Sequence, residues 1–232
     1  MNPINNNHGN FFEQKEIKIT KDGSHTLFVP GLNEHYHSMY GALQESRHVF
    51  IKEGFHKCTK DAIYLLEAGF GTGLNALLTF IEAEKQKKKV FYFGVDQYPL
   101  DWELVNKLNY TDLLPENTRE TFKELHQSKW GVTNMLSPWF TFQKIKADLG
   151  NYNPSPGIDL VYFDAFGPDK QPEMWSFDIF FRIFEALNRG GILTTYSAKG
   201  SVKRILKNIG YEVNLIKGPP GKRHIIKAIK KY

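Results

Sequence analysis

The feature that most constrains this chain is a glycine-rich stretch at residues 67–75, Glu-Ala-Gly-Phe-Gly-Thr-Gly-Leu-Asn. An apolar run at residues 62–66 precedes it, and residues 75–81 have the pattern of a helix. Glycine lacks a Cβ atom, so the backbone of such a turn can adopt positive φ and approach a ligand closely. The free N–H groups at the start of the following helix then face that ligand. The stretch therefore predicts a ligand-binding unit of strand, tight turn and helix.

The spacing of Gly69, Gly71 and Gly73 narrows the choice of ligand. No Gly-Lys-Ser/Thr follows, which excludes a P-loop, and G-x-G-x-G differs from the dinucleotide pattern G-x-G-x-x-G. Glu67, just before the glycines, would repel a diphosphate but can pair with an ammonium group. S-adenosylmethionine (SAM) carries such an ammonium, so we expect Glu67, the three glycines and Asn75 to bind SAM. A turn that only packs the helix on the sheet is the alternative.

The remainder of the chain alternates strand and helix patterns, which predicts an α/β doubly wound fold with a mostly parallel sheet covered on both faces. Helices are expected at residues 74–83, 101–130, 172–187 and 201–209. The sequence predicts a seven-stranded sheet, with strands at residues 63–67, 90–95, 139–146, 158–163, 192–196, 211–216 and 224–230.

Acids follow three of the predicted strands, at the edge where ligands of open α/β sheets bind. Asp96, followed by Gln97, is placed to reach ribose hydroxyls. Asp148, followed by Leu149, is placed to accept a hydrogen bond from the adenine amino group, although a turn-terminating Asp fits the pattern equally well. Asp164 ends the most apolar strand, where reacting groups are expected.

The N-terminal part predicts an extension to this α/β domain. Residues 1–12 are polar and Asn-rich, which predicts disorder. Residues 13–58 predict a β-hairpin around Asp22-Gly23 and a helical entry to the main domain, which we place at residues 59–232. His35, His37 and His48 are too scattered to form a metal site, so no metal is expected.

Chain length and composition limit the number of domains and the cellular compartment that we expect for the protein. A chain of 232 residues with a single cysteine, Cys58, fits one large domain in a reducing compartment. No apolar run reaches membrane-spanning length, and the polar, Asn-rich N-terminus lacks the apolar core that a signal peptide would have. We therefore expect a cytoplasmic protein without a membrane partner.

The C-terminal part is basic. Residues 199–232 contain ten Lys or Arg residues and one acid, within a chain of net charge +5. Such asymmetry indicates an anionic polymer as partner, with a solvated basic surface as the alternative. Phe166 and Trp175 could stack on a flat substrate ring, although single aromatic residues more often belong to the core. The cations expected to contact the polymer are Lys199, Lys203, Arg204, Lys222 and Arg223.

Together these residues resemble the MnmC-type tRNA methyltransferases over roughly residues 16–230. The glycine-rich stretch resembles their SAM motif, and residues 96–100 (Asp-Gln-Tyr-Pro-Leu) are similar to their second-strand acid motif. Residues 164–168 with 172–175 resemble their D-x-F-x-P…P-x-M-W segment. Residues 190–191, 197–200 and 221–223 fit their C-terminal part, although Lys199 stands where the family usually runs Ala-Gly directly.

The resemblance implies a Rossmann-like SAM-dependent methyltransferase that acts on tRNA in the cytoplasm. Its substrate would be the 5-aminomethyl group of a wobble uridine, usually 2-thiolated, which becomes 5-methylaminomethyl. Bifunctional members carry an FAD-dependent oxidase domain for which this chain has no room, so the resemblance implies the stand-alone form and a separate enzyme that supplies the aminomethyl substrate. Asp164 would hold the substrate ammonium and accept its proton.

Two other functions were compatible with the residues alone. An NAD-type oxidoreductase on a similar fold would place a pyrophosphate over the glycines, which Glu67 disfavours. A non-catalytic RNA-binding domain would use the basic C-terminal part and bind no SAM.

Overall fold

The structure is a computed structural model that describes residues 14–115 and 118–232. The predicted disorder of residues 1–12 lies outside the described residues. None of the helices in the described part of the chain combines the length and the apolarity that a membrane span requires.

An eight-stranded sheet forms the centre of the fold, with the strand order β10-β11-β9-β8-β4-β5-β7-β6. The five strands from β9 to β7 in this order run parallel to one another, and the strands outside them add antiparallel pairs. The strands are β4 (Ala62–Ala68), β5 (Lys89–Asp96), β6 (Thr133–Ser137), β7 (Phe140–Lys146), β8 (Ile158–Phe163), β9 (Leu187–Thr195), β10 (Tyr211–Lys217) and β11 (His224–Lys230).

The doubly wound, mostly parallel sheet is the fold that the alternation of strands and helices predicts. Every residue of β8 is buried, because helices cover both faces of the central strands, and all of them except Asp159 are apolar or aromatic. Two hydrophobic cores lie on the two faces of the sheet, one including Leu65 and Leu77 and the other including Leu66 and Phe180. Alternate residues of β4 thus enter opposite cores, as the pleat of a strand requires.

The eighth strand, β6, was absent from the prediction of seven strands. It pairs antiparallel with β7 at the edge of the sheet, and its register shifts between Met135 and Ser137. None of its five residues is buried, and Met135 is 76% exposed. An irregular edge strand of this kind carries no alternation of buried and exposed side chains by which the sequence could reveal it.

The helices are α1 (Ala42–Ser46), α2 (Leu74–Gln86), α3 (Trp102–Val105), α4 (Thr118–Gln127), α5 (Phe177–Ala186) and α6 (Gly200–Ile209). The continuous helix predicted for residues 101–130 is therefore wrong, since α3 ends after one turn and a 3-10 turn, Tyr110–Asp112, follows. Asn106 and Asn109 favour turns over helix, and Pro115 precedes α4. The helix predicted for residues 172–187 begins instead as a 3-10 turn, Pro172–Trp175, and is interrupted at Ser176, which is extended.

A second, three-stranded sheet precedes the main one. Strands β1 (Glu16–Ile19) and β2 (His25–Val29) form an antiparallel hairpin, and β3 (Glu34–His35) pairs with β2. Asp22 lies in the hairpin turn and accepts hydrogen bonds from the N–H groups of Ser24 and Gln44, so it ties the hairpin to α1. A π-helical turn, Arg47–Lys52, follows α1 directly. The division of the chain at residues 58 and 59 stays a prediction.

Candidate active site

A cavity of about 300 Å³ opens at the carboxyl edge of the main sheet. The segments that follow β4, β5, β7, β8 and β9 line it, together with the segment between β3 and α1 and with Lys222 of the β10–β11 loop. The strand order places the ends of β5 and β7 on one side of β4 and the ends of β8 and β9 on the other. The cavity therefore has a β5/β7 half and a β8/β9 half.

The glycine-rich loop forms the floor between these halves, and two of its glycines line the cavity. At Gly69, with φ of 91°, a Cβ atom would lie 2.6 Å from the carbonyl oxygen of Asp164. At Gly71, with φ of 49°, a Cβ atom would lie 3.2 Å from the ring of Tyr36. Gly73 instead packs at the start of α2, where a Cβ atom would meet the His126 ring at 2.7 Å. Gly69 and Gly73 therefore allow close packing against Asp164 and His126, whereas Gly71 keeps open the space beside Tyr36.

Glu67 does not line the cavity, which corrects its expected contact with the SAM ammonium. Its side chain is fully buried, and burial raises the pKa of its carboxyl well above the ordinary value. Tyr92 Oη donates to Glu67 Oε2 at 2.7 Å, and Asn75 Nδ2 donates to Oε1 at 2.9 Å. Glu67 therefore acts on the cavity through Asn75, whose orientation it fixes. The sequence placed the acid correctly at the end of its strand but could not show which way the side chain points.

Asn75 connects Glu67 to the cavity. Its Nδ2 also donates to Asp164 Oδ2 at 2.8 Å, and two carboxylates on one side of the amide require the donor group there. Asn75 Oδ1 is buried and finds no hydrogen-bond partner within the described part of the chain. A buried acceptor without a partner costs free energy, and a ligand that carries N–H donors would satisfy it.

Asp96 lines the β5/β7 half, at the end of its strand as expected. Its Oδ2 accepts the N–H of Gly71 at 2.8 Å and its Oδ1 accepts the N–H of Tyr98 at 2.8 Å. Burial raises the pKa of Asp96, while these two hydrogen bonds lower it. Each carboxylate oxygen keeps a further acceptor site, so Asp96 can accept ribose hydroxyls. Gln97 is exposed beside it and also lines the cavity.

Asp148 lies outside the cavity lining, which corrects its expected contact with adenine. Its carboxylate accepts the N–H of Gly150 at 2.9 Å and Asn151 Nδ2 at 2.7 Å. It therefore stabilises the turn after β7, which was the alternative interpretation. Its neighbours Ala147 and Leu149 line the cavity instead and give this wall an apolar surface.

Asp164 directly follows β8 and lines the cavity beside the glycine-rich loop. Burial and the charge of Glu45 raise its pKa while Asn75 and Lys222 lower it, and together they move the pKa from 3.8 to about 7. A carboxylate with a pKa near 7 can accept a proton from an ammonium group more effectively than an ordinary carboxylate. The expected role of Asp164 as a base stays a prediction to which this environment is suited.

The two aromatic residues that follow β8 differ in position. Phe166 lines the cavity, where its ring meets the ring of Tyr36 edge-on at 4.9 Å. Trp175 is 3% exposed and packs against Phe163 and Phe180, so its expected stacking on the substrate is corrected to a core position. Its indole N–H donates to the carbonyl oxygen of Phe166 at 2.7 Å and so fixes the backbone there.

The five basic residues differ in exposure and in partners. Arg204 on α6 and Arg223 on the β10–β11 loop are exposed, and Lys203 is half-buried on α6. Lys199 is exposed and forms an ion pair with Asp169. Lys222 lines the cavity and forms an ion pair with Glu45 at 3.0 Å, and its expected contact with the anionic polymer stays a prediction.

Sequence reasoning missed one wall of the cavity. The residues between β3 and α1 supply Tyr36, His37 and Ser38, and α1 supplies Glu45. Tyr196, after β9, completes this wall. These residues belong to no motif, and only tertiary structure brings the N-terminal extension to the carboxyl edge of the sheet.

The charges of the cavity suit cationic ligands. Lys222 is the only Lys or Arg that lines it within residues 14–115 and 118–232, whereas Glu34, Glu45, Asp96 and Asp164 all line it. SAM carries a sulfonium and an ammonium, and its hydroxyl and amino groups are hydrogen-bond donors. The unpartnered acceptor of Asn75, the opening at Gly71 and the carboxylate of Asp96 therefore fit SAM. In the same described residues, no group of three or more His, Cys, Asp or Glu side chains could hold a metal ion.

Comparison with known proteins agrees with this chemistry. A family model described as S-adenosyl-L-methionine-dependent methyltransferase matches residues 120–231. The chain is 30% identical over 211 residues to the tRNA 5-methylaminomethyl-2-thiouridine biosynthesis bifunctional protein MnmC of Marinomonas sp. (strain MWYL1), covering 82% of this chain and 30% of that protein. The MnmC protein of Nitrosospira multiformis is 28% identical, with 87% and 35% covered. The chain thus spans about a third of the length of these curated relatives.

Solved structures give a similar result. The crystal structure of MNMC2 from Aquifex aeolicus superposes with a TM-score of 0.78 and 26% identity, covering 94% of this chain and 71% of that chain. Spermidine synthase from Thermotoga maritima superposes with a TM-score of 0.58 at 12% identity, covering 94% and 69%, which shows a common fold.

Proposed function

We propose that this chain, as a SAM-dependent methyltransferase of the MnmC type, methylates the 5-aminomethyl group of a wobble uridine in tRNA, usually a 2-thiouridine. The product is 5-methylaminomethyluridine. A methyltransferase is neither the oxidoreductase nor the non-catalytic RNA-binding domain that the residues alone also allowed.

The observation that carries the proposal is the position of Asp164. Its carboxylate faces the cavity beside the glycine-rich loop, with a pKa raised by burial to about 7. A primary amine is largely protonated at neutral pH and must lose a proton before its nitrogen can attack. An acceptor whose pKa lies near the working pH suits that proton transfer.

The residues of the cavity divide the work between its two halves. Asp96, Gln97 and Leu149 are placed to hold the ribose and adenine portions of the cofactor in the β5/β7 half. When bound, SAM supplies a methyl group from a sulfonium centre, whose sulfur takes the electron pair of the broken bond as a thioether. Asp164 accepts the proton of the substrate amine, and Phe166 offers a ring on which the uracil can stack. Because in-line transfer depends on alignment, positioning contributes most of the rate.

The partners follow from the substrate. Exposed cations on α6 and on the β10–β11 loop border the carboxyl edge of the sheet, where tRNA phosphates would lie. A separate enzyme would supply the aminomethyl group on the uridine, and the cytoplasm is where tRNA is available.

The test is methylation of defined tRNA by the purified protein. Wobble uridines that carry an aminomethyl group should become methylaminomethyl with SAM as donor, as nucleoside analysis by mass spectrometry would report. The same tRNA without the aminomethyl group is the matched control and should stay unchanged. Methylation of the control at the same rate would contradict the assigned substrate.

A further inference from the structure

A carboxylate that no motif singles out lies in the β8/β9 half of the cavity. Glu45 of α1 is 7% exposed and lines the cavity. The N–H of Ser38 donates to its Oε1 at 2.9 Å, which fixes its orientation. Burying a carboxylate costs free energy unless a cation accompanies it, so Glu45 is expected to hold a positive partner.

The partner in this structure is the chain's own amine. Lys222 Nζ lies 3.0 Å from Glu45 Oε2 and 3.9 Å from the centroid of the Tyr196 ring. A carboxylate on one side and an aromatic face on another form a favourable environment for an ammonium group. The Tyr196 hydroxyl donates to the carbonyl oxygen of Ala165 at 2.8 Å. Ala165 directly follows Asp164, so this bond anchors the Tyr196 ring to the segment that carries Asp164.

We propose that Glu45 and the ring of Tyr196 form the binding site for the protonated primary amine of the substrate, and that Lys222 occupies this site when substrate is absent. The inference rests on the proposed function, since it assigns the recognition of that same amine. Recognition and proton transfer then belong to different carboxylates: Glu45 binds the ammonium, and Asp164 accepts the proton. Uridines without the amine gain no binding free energy from Glu45, so Glu45 and the Tyr196 ring select substrates that carry the amine.

A second ion pair offers a matched control. Glu53 and Lys227 connect the same two parts of the chain, with Lys227 Nζ 3.5 Å from Glu53 Oε2 and side chains 15% and 18% exposed. Neither residue lines the cavity. Changes to this pair therefore report the general cost of losing an ion pair between the helical segment and β11.

The experiment measures binding of two tRNAs, with and without the aminomethyl group, in the presence of S-adenosylhomocysteine so that no turnover occurs. The ratio of the two Kd values is the amine preference. Glu45→Gln should lower this preference about tenfold or more, the usual loss when a charge-assisted hydrogen bond is removed. Lys222→Met should raise the preference, because it removes the competing ammonium. Glu53→Gln and Lys227→Met should leave it unchanged.

The opposite signs separate this inference from a structural role. If Lys222 and Glu45 only brace the fold, both variants should change the preference in the same direction or leave it unchanged, and either outcome overturns the inference. An unchanged preference in Glu45→Gln also overturns it, and Lys222→Met keeps the test available if Glu45→Gln does not fold. A parent protein that shows no amine preference and no methylation contradicts the proposed function instead.

Discussion

At the scale of single residues, the catalytic role proposed for Asp164 and its effect on stability oppose each other. Its carboxyl has a pKa of about 7, raised from 3.8 chiefly by burial. Below pH 7 the group is protonated and cannot accept the substrate proton, so kcat/KM should fall as pH decreases through about 7. Asp164→Asn should reduce the single-turnover rate about 10²–10⁴-fold with SAM affinity little changed. A loss smaller than threefold would remove Asp164 from the mechanism.

The raised pKa of Asp164 also predicts how the stability of Asp164→Asn should depend on pH. A carboxyl whose pKa is higher in the folded than in the unfolded state loses stability as pH rises from the unfolded pKa to the folded one. That loss is complete above pH 7, and asparagine does not ionise. We therefore expect the Tm of Asp164→Asn to exceed that of the parent at pH 8 and the difference to shrink toward pH 4, as calorimetry can measure.

Gly71 tests the cofactor half of the cavity. Gly71→Val places a branched side chain at φ of 49° and 3.2 Å from the Tyr36 ring, where the loop must stay open. SAM affinity, measured by titration calorimetry, should fall by about tenfold or more while the fold is retained. Gly131→Val is the matched control, since Gly131 also has positive φ but no atom lies within 4 Å of its added Cβ. Equal SAM affinity in the two variants would show that the loop does not face the cofactor.

The sequence predicts the positions of the site residues better than the directions of their side chains. Asp96 and Asp164 line the cavity because strand ends in a parallel sheet share one edge, which alternation alone implies. Glu67 and Asp148 also end strands, yet one is buried beneath the loop and the other stabilises a turn. Which face a terminal side chain takes depends on neighbours that are distant in sequence. The sequence could not reveal Glu45 for the same reason, because only the packing of α1 against the β10–β11 loop brings it to the cavity.

At the scale of elements, Asp22 joins the first hairpin to α1. Its carboxylate accepts hydrogen bonds from the N–H groups of Ser24 and Gln44 and from the hydroxyl of Thr20, and these bonds lower its pKa although burial opposes them. Asp22→Ala should lower the free energy of unfolding by about 1–3 kcal/mol. Because the folded pKa is depressed, the contribution is present above the ordinary pKa and disappears as pH falls through the folded one.

Urea unfolding at pH 7 and pH 3 measures both effects. Asp101→Ala is the control, since Asp101 precedes α3 without a side-chain hydrogen bond to the helix. Equal stabilities of the two variants at pH 7 would show that Asp22 does not hold the elements together.

The elements themselves were predictable where burial imposes a regular pattern. All strands from β4 to β11 except β6 were expected, because a buried parallel strand must be apolar along its length and the closing strands alternate. The hairpin followed from Asp22-Gly23, where Gly23 has φ of 84°. The prediction was wrong for segments without a buried face. Strand β6 is an exposed edge of the sheet. The surface stretch between β5 and β6 has helical composition, but Asn109 and Pro115 divide it.

At the scale of the whole molecule, the distribution of charge predicts how tRNA binds. The net charge of +5 arises from the excess of cations in residues 199–232. The strand directions place the first turns of α6 and the β10–β11 loop at the carboxyl edge, so exposed Arg204 and Arg223 border the cavity mouth. Phosphate contacts release counterions, and each lost contact should flatten the slope of log K against log salt by about 0.7–0.9.

Arg204→Glu with Arg223→Glu should therefore weaken tRNA binding and flatten the slope by about two contacts' worth, or roughly 1.4–1.8. Lys85→Glu with Lys89→Glu is the matched control, because these exposed lysines lie at the end of α2 and the start of β5, on the amino edge of the sheet. Both double variants change the net charge equally, so long-range attraction falls equally and only local contacts differ. Filter binding of tRNA between low and moderate salt measures both slopes. If the two variants lose affinity equally, tRNA is drawn by net charge alone and the carboxyl edge is not its docking surface.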